Sequence, residues 1–266
     1  MATALRDIDE SQAPLLDHLI ELRARLVRCV FALALAFSVC LYFASDIYGF
    51  LVVPLEQAFP DGDGKLIYTQ LYEAFFVQLK VALFAAFCVS FPIIANQLWA
   101  FVAPGLYAKE KRAFLPFLLA TPVLFIAGAS LAYYVVMPTA FRWFVGFEGV
   151  TGGIPLEALP KADEYLSLVM QFILAFGISF LLPVLLLLLN RAGLVTRQQL
   201  ASGRRYIIVG VIALAAIVTP PDPGSQLILA VPLLLLFEGS LLIMRVTERR
   251  VAEAIPDEAD EEPATP

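Results

Sequence analysis

Six long apolar segments constrain the fold of this chain more than any other feature of its sequence. They lie at about 27–45, 74–98, 114–141, 165–190, 206–221 and 226–244. A helix needs about 20 mostly apolar residues to cross the hydrocarbon core of a bilayer. The composition agrees, since 60% of the residues are hydrophobic and only 16% are charged. The sequence therefore predicts an all-α polytopic membrane protein with six transmembrane helices.

The fifth and sixth segments are predicted to be short and to form a tight hairpin. The fifth, Tyr206 to Pro221, has about 16 residues and reaches only ~24 Å, less than the ~30 Å core. Its link to the sixth contains Pro220 and Pro223, which cannot continue a helix. Further prolines bend the spans, and kinked, unequal helices predict a concave wall. These are Pro92, Pro116, Pro122, Pro138, Pro183 and Pro232.

The distribution of lysine and arginine near the span ends predicts the orientation, because positively charged loops stay in the cytoplasm. One side has Arg6, Arg23, Arg25, Arg28, Lys109, Lys111, Arg112, Arg191, Arg197, Arg204, Arg205, Arg245, Arg249 and Arg250. The other side has only Lys65, Arg142 and Lys161. Both termini are therefore predicted to be cytoplasmic, with outer loops at 46–73 and 142–164 and a short outer turn at 220–225.

Three regions follow from these patterns. Residues 1–26 are a predicted cytoplasmic segment with an amphipathic helix, where Leu19, Leu22 and Leu26 recur at helical spacing and Glu21 and Arg25 are separated by four residues. Residues 27–245 are the six-helix transmembrane domain. Residues 246–266 form a tail with seven acidic residues, two arginines and three prolines, which is typical of a disordered, solvated segment. No apolar segment with a cleavage site precedes the first span, so we expect no cleavable signal peptide.

Charged residues inside the spans are few, and such residues are candidates for function because burying a charge in hydrocarbon is unfavourable. They are Glu73 and Lys80 in the second span and Glu238 in the sixth. Glu73 and Lys80 are about 10 Å apart along the helix, too far for a direct pair. Lys80 either extends toward the interface, pairs with another helix or has a functional role. Glu238 has no partner nearby in sequence, which favours a functional polar contact.

Residues for catalysis or metal binding are scarce. The only histidine is His18, ahead of the first span, so neither a zinc site of the HExxH type nor a Ser-His-Asp triad can form. Cys29, Cys40 and Cys88 lie in apolar runs and are interpreted as small buried side chains. We therefore expect no enzyme activity, no metal and no cofactor.

Four motifs on the predicted cytoplasmic side and in the later spans are specific. They read HLIELRARL at His18 to Leu26, QLWAFVAPGLYAKE at Gln97 to Glu110, FGISFLLPV at Phe176 to Val184 and TPPDPGSQ at Thr219 to Gln226. YEAFF at 72–76 and LFEGS at 236–240 add to them. In order and spacing the chain resembles the TatC family of twin-arginine protein translocase subunits, from about Leu15 to Arg245.

The resemblance implies a function. Members of this family bind SRRxFLK-like signal peptides of folded precursors at the cytoplasmic face of the bacterial inner membrane. They recruit the single-span proteins TatA and TatB, and the proton-motive force drives transport. Matching positions make Glu21, Phe101 and Glu110 the signal-peptide site, with His18, Arg23 and Tyr107 beside them. Carboxylates suit this task because they accept bidentate hydrogen bonds from guanidinium groups.

The implied partners are these signal peptides, TatA, TatB, further copies of the chain in a receptor complex and the lipid bilayer, with no nucleic acid. Leu181, Glu73, Lys80, Asp222, Gln226 and Glu238 are candidates for partner binding or intramembrane polar contacts. Leu181 stands where many relatives have a polar residue, usually Glu. Either the partner is apolar at that depth, which we favour, or Gln171, Ser179 or Thr121 supplies the polar contact.

Two other classes of protein fit the sequence less well. A small secondary transporter would place its substrate site between internal repeats at the membrane midplane, and no repeat is apparent. An intramembrane enzyme would need a nucleophile, a base or a metal set, and no such combination is present in the sequence.

Overall fold

The computed structural model describes residues 2–59, 64–106, 111–151, 153–191, 193–218 and 223–253. These residues are almost entirely helical and contain several apolar helices of membrane-crossing length, which confirms the predicted fold class. They form two compact units, Met1–Ser179 and Phe180–Pro266, each with a packed apolar core.

The first unit contains helices and one small hairpin among its described residues. Its elements are α1 Ala2–Tyr42, α2 Ala44–Glu56, α3 Glu73–Leu106, α4 Lys111–Leu131, a π-helical segment Ala132–Val136, α5 Met137–Val145, β1 Gly149–Thr151, β2 Ile154–Leu156 and α6 Ala162–Ser179. The two strands are antiparallel and lie in the predicted outer loop 142–164. Within the described residues this hairpin is the one addition to the predicted all-helical fold.

Small side chains form the contact between α1, α2 and α3. Cys40 and Ala44 pack against Ala82 and Ala86, and all four are buried. Small residues let helix backbones approach closely, which is how apolar helices associate in a bilayer where no hydrophobic driving force acts between them. Cys40 is thus a buried small side chain, as predicted.

The second unit is built around the last helix. Its elements are α7 Leu182–Arg191, α8 Arg197–Ser202, α9 Arg204–Val218 and α10 Pro223–Glu253. Phe237, Leu241 and Met244 of α10 form its core. Around them pack Leu182, Leu186 and Leu187 of α7, Leu200 of α8 and Ile207 of α9.

Five helical stretches in the described part of the chain are long and apolar enough to cross a membrane. They are Leu19–Tyr42, Glu73–Phe101, Phe117–Val145, Ala162–Arg191 and Gln226–Val246. The remaining predicted segment is α9, whose 15 residues reach only ~22 Å, so its shortness is confirmed. The prediction that the sixth helix is also short is wrong. The last stretch has 21 residues, but its helix α10 has 31, because the helix begins at Pro223 and continues into the polar residues beyond Val246.

Two prolines account for the irregular places in the third and fourth spans. Pro138 has no N–H to donate to the carbonyl of Tyr134, and the turn before it widens into the π-helical segment, where the Met137 amide bonds to Ala132 five residues back. In the fourth span α6 ends at Ser179, four residues before Pro183. Bends were predicted at these two prolines and at Pro92, Pro116, Pro122 and Pro232. The helix is irregular at the first two, although its π-helical form at Pro138 was not predicted, and it is continuous through the other four.

Candidate functional site

The helix that precedes the first span carries Glu21, and its carboxylate already binds a guanidinium group. Arg25, one turn further on, donates from Nη2 at 2.5 Å and from Nε at 3.0 Å to Oε1 of Glu21. The four-residue spacing places both side chains on one face of α1, as the sequence predicted. The pair is half-buried, with the Arg25 side chain 19% and the Glu21 side chain 39% exposed.

Phe101 lies near the end of α3, at about the level of Glu21. The buried cluster that contains Cys40 of α1 and Ala82 of α3 gives a common reference level for the two helices. Glu21 lies 19 residues before Cys40, and Phe101 lies 19 residues after Ala82. Because consecutive spans cross a membrane in opposite directions, helix geometry puts both at about 28 Å from that cluster and toward the same end. The Phe101 side chain is half-buried. A carboxylate and an aromatic ring therefore lie at one end of the first two spans.

A buried hydrogen bond fixes this end of α3 to α4. The indole N–H of Trp99 donates to Oγ1 of Thr121 at 2.9 Å, and that hydroxyl donates in turn to the Phe117 carbonyl at 2.8 Å. Thr121 is only 1% exposed.

The other residues of the predicted signal-peptide site are placed as follows. Arg23 is exposed on α1. His18 belongs to the same helix, and its side chain lies outside the described part of the structure. Tyr107 and Glu110 also lie outside the described residues, between the end of α3 and the start of α4. Their assignment to the site remains a prediction.

Glu73 and Lys80 do not contact each other; each has its own partners. Glu73 starts α3 and accepts hydrogen bonds at Oε2 from the amides of Thr69 at 2.9 Å and Gln70 at 3.3 Å, which caps the helix. Lys80 Nζ donates to Asp163 at 2.5 Å and to Ser167 at 3.0 Å, both on α6. Of the alternatives for Lys80, the structure favours pairing with another helix.

A mixed-charge cavity of about 360 Å³ surrounds these contacts. Its lining comprises Thr69, Gln70, Tyr72, Glu73, Phe76, Lys80, Lys161, Asp163 and Glu164. The lining has three acidic residues and two lysines, so its formal charges nearly balance. Within the described residues, no group of three or more His, Cys, Asp or Glu is arranged to hold a metal ion.

Glu238 has no partner nearby in sequence, as predicted, but it has one on the neighbouring helix. Its Oε2 accepts a hydrogen bond from Nη2 of Arg204 at 2.9 Å. Arg204 begins α9 and is 34 positions away in sequence, so helical spacing gave no sign of the pair. The ion pair joins the two helices of the predicted hairpin, and a further functional contact of Glu238 stays a prediction.

Gln226 also joins α9 to α10, since its Nε2 donates to the Ile212 carbonyl at 3.1 Å. The two contacts, 226 with 212 and 238 with 204, run in opposite senses along the helices, so α9 and α10 form the predicted antiparallel hairpin. Asp222, in the link between them, lies outside the described residues. Leu181 is half-buried in the break between α6 and α7.

Several partners were not predicted because they are distant in sequence. Asp163 lies 83 positions from Lys80, and Thr121 lies 22 positions from Trp99. Only the polar character of Asp163, Ser167 and Thr121 next to apolar runs was available as a signal. Such a signal shows that a polar residue needs a partner without saying which residue it is.

Taken together, these features define a class: a polytopic helical membrane protein with a carboxylate and an aromatic ring at one end of its first two spans. Comparison with known proteins narrows the class. Residues 17–232 match the family model described as TatC, Sec-independent protein translocase protein. The chain therefore belongs to the TatC family.

Individual relatives agree over nearly the full length. The chain is 49% identical to the Sec-independent protein translocase protein TatC of Magnetococcus marinus over 92% of this chain and 88% of that protein. It is 38% identical to the TatC of Escherichia coli over 89% and 90% of the two chains. A crystal structure of the twin arginine translocase receptor TatC is similar with a TM-score of 0.76 and 38% identity, over 87% of this chain and 100% of the other.

The Trp99–Thr121 contact generates a prediction about stability. Thr121→Val removes the hydroxyl that accepts from the indole, and an unmade buried hydrogen bond costs about 1–3 kcal/mol. We expect the free energy of unfolding in detergent to fall by that amount. Ser90→Ala is the matched control, because Ser90 is equally buried but bonds only to its own helix, at the Phe87 carbonyl. Equal stability of the two variants would show that the interhelical bond contributes nothing.

Proposed function

We propose that this chain is the signal-peptide receptor subunit of a twin-arginine translocase, and that it binds the arginine pair of a precursor at the cytoplasmic end of its first two spans. Membership of the family supports the general role. The observation that carries the specific proposal is the Glu21 carboxylate, which holds a guanidinium group near the level of Phe101.

The Glu21–Arg25 pair suggests how a signal peptide is accepted. An exposed or half-exposed pair at this helical spacing contributes only about 0.3–0.5 kcal/mol, so replacing Arg25 by an arginine of the precursor costs little. The incoming guanidinium gains charge-assisted hydrogen bonds, and Phe101 supplies a ring on which it can stack. Glu110 supplies a second carboxylate for the second arginine.

The proposal includes the location of the protein, its orientation in the membrane and its partners. We infer an inner-membrane location with both termini in the cytoplasm, supported by the lysine and arginine distribution. TatA and TatB are the proposed single-span partners, together with further copies of this chain. Binding and transport, without catalysis of a covalent reaction, are the activities that this site supports.

Removing a site carboxylate and removing Arg25 should change the affinity for a precursor in opposite directions. Glu21→Gln and Glu110→Gln each remove a charged acceptor, and the affinity for an SRRxFLK peptide should fall roughly ten- to a hundredfold. Arg25→Gln frees Glu21, so affinity should rise about twofold, the equivalent of the lost pair. Titration of purified protein with a labelled peptide measures both.

The matched control for charge is Glu157→Gln, an exposed carboxylate on the predicted outer loop, which should leave affinity unchanged. Unaltered binding by folded Glu21→Gln and Glu110→Gln proteins would overturn the assignment. A loss of affinity in Arg25→Gln as large as that in Glu21→Gln would show that the pair acts as a structural unit rather than as an exchangeable one.

The proposed orientation can be tested with single cysteines in a chain lacking Cys29, Cys40 and Cys88. Glu157→Cys should react with an impermeant maleimide added to intact spheroplasts, whereas Gln198→Cys, between α7 and α9, should react only after lysis. Both positions are exposed. A cysteine at Gly153 would be less suitable for labelling, because the φ of +86° at this position disfavours any side chain. Labelling in the reverse order would contradict the proposed topology.

At Leu181 we propose an apolar contact with a partner span. Leu181→Ala should then weaken copurification of TatA- or TatB-type partners through lost packing. Leu181→Glu should be tolerated only by a partner with a polar residue at the same depth, because an unpaired polar group in hydrocarbon is unfavourable. Normal partner recovery with both variants would mean that the partners dock elsewhere.

A further inference from the structure

Helix α2 contains a proline that leaves a gap in its hydrogen bonding. Pro54 lies inside the helix, four residues after Phe50. In an unbroken helix the amide at position 54 would donate to the Phe50 carbonyl, and proline has no amide hydrogen to give. A carbonyl without a partner is unfavourable where water is scarce. The Phe50 carbonyl therefore needs a donor from elsewhere in the fold.

Tyr133, in the π-helical segment of the third span, supplies that donor. Its hydroxyl donates to the Phe50 carbonyl at 2.6 Å. The ring of Tyr133 stacks on the ring of Phe50 with 4.4 Å between centroids and 7° between planes. Tyr133 is buried, so both the hydroxyl and the ring are held in the interior of the first unit.

Tyr165 makes the neighbouring contact from the fourth span. Its hydroxyl donates to the Leu51 carbonyl at 2.8 Å, and both residues are buried. Tyr165 lies in the first turn of α6, three residues after Ala162, whose amide donates to the Ile67 carbonyl at 2.9 Å. The same turn thus holds both α2 and the segment 64–72 that follows it.

We propose that the hydroxyl groups of Tyr133 and Tyr165 are positioning groups for α2. The Tyr133 hydroxyl substitutes for the helical bond that Pro54 cannot make to the Phe50 carbonyl, and the Tyr165 hydroxyl binds the next carbonyl, that of Leu51. They hold α2 in one fixed place on the third and fourth spans. The segment 64–72 is bound to the same turn of α6 through Ile67, whose amide donates to the Pro160 carbonyl at 3.1 Å. The tyrosines thus determine the arrangement of the predicted outer end of the first unit.

Whether the Tyr133 hydroxyl replaces the donor that is missing at Pro54 can be tested by combining two substitutions in the purified full-length protein. Tyr133→Phe keeps the stacked ring and removes the hydroxyl, so amide hydrogen exchange in residues 48–56 should become about tenfold faster. Pro54→Ala restores an amide that can donate to the Phe50 carbonyl. In that background the same change at Tyr133 should alter exchange less than about twofold.

The neighbouring Tyr134 provides a matched control, because it is 68% exposed and lies in the same π-helical segment. Tyr134→Phe should leave exchange in α2 unchanged. Equal acceleration by Tyr133→Phe in both backgrounds, or none in the original chain, would overturn the proposal. If Tyr133→Phe alone does not yield folded protein, the combined variant must still do so, and failure of both overturns it as well.

A second measurement separates positioning from a general loss of structure, and this part rests on the proposed function. Tyr133→Phe should lower the transport rate about tenfold while leaving precursor affinity unchanged, because Glu21 and Phe101 lie at the opposite end of the spans. Transport should recover in the combined variant. Loss of affinity in parallel with transport would contradict the positioning role. Failure of the unmodified chain to bind precursors would count only against the proposed function, since the exchange experiment contains no precursor.

Discussion

The structure depends on one constraint: a backbone amide or carbonyl in hydrocarbon must find its hydrogen-bond partner within the protein. This chain places prolines inside helices, where each removes a donor. Three of these prolines coincide with different local structures. At Pro138 the helix widens into a π-helical turn, at Pro183 it stops and restarts, and at Pro54 a tyrosine from another span donates to the freed carbonyl. At Pro54 a group from outside the helix therefore completes the backbone bonding.

Polar side chains follow the same rule. Glu73 caps the start of its own helix, Lys80 pairs with Asp163, and Arg204 pairs with Glu238. Each of these contacts joins elements within one unit, so the polar residues of the spans largely serve the assembly of the fold. Glu21 differs in that its partner Arg25 is on the same helix and joins nothing together. A pair that holds no second element can be exchanged without disturbing the fold, which suits a site for an incoming arginine.

The two ends of the first unit are held together by different sets of hydrogen bonds. At the end with Phe101, a buried hydrogen bond between Trp99 and Thr121 joins α3 to α4. At the other end, several bonds between α2, the segment 64–72 and the first turn of α6 form a more extensive network. Under the proposed function, precursors are recognised at the first end, and the second end keeps the spans in a fixed arrangement during transport.

The sequence by itself determined the fold class, the positions of the spans, the short fifth helix and the kinks at Pro138 and Pro183. It also determined the Glu21–Arg25 pair, because helical periodicity, segment length and proline chemistry act over a few residues. The tertiary structure decided which polar groups meet: Lys80 with Asp163, Arg204 with Glu238, and Tyr133 with the Phe50 carbonyl. Those partners lie 34 to 83 positions apart. A sequence shows that each polar group needs a partner, whereas only the packing of whole helices brings a particular one within hydrogen-bonding distance.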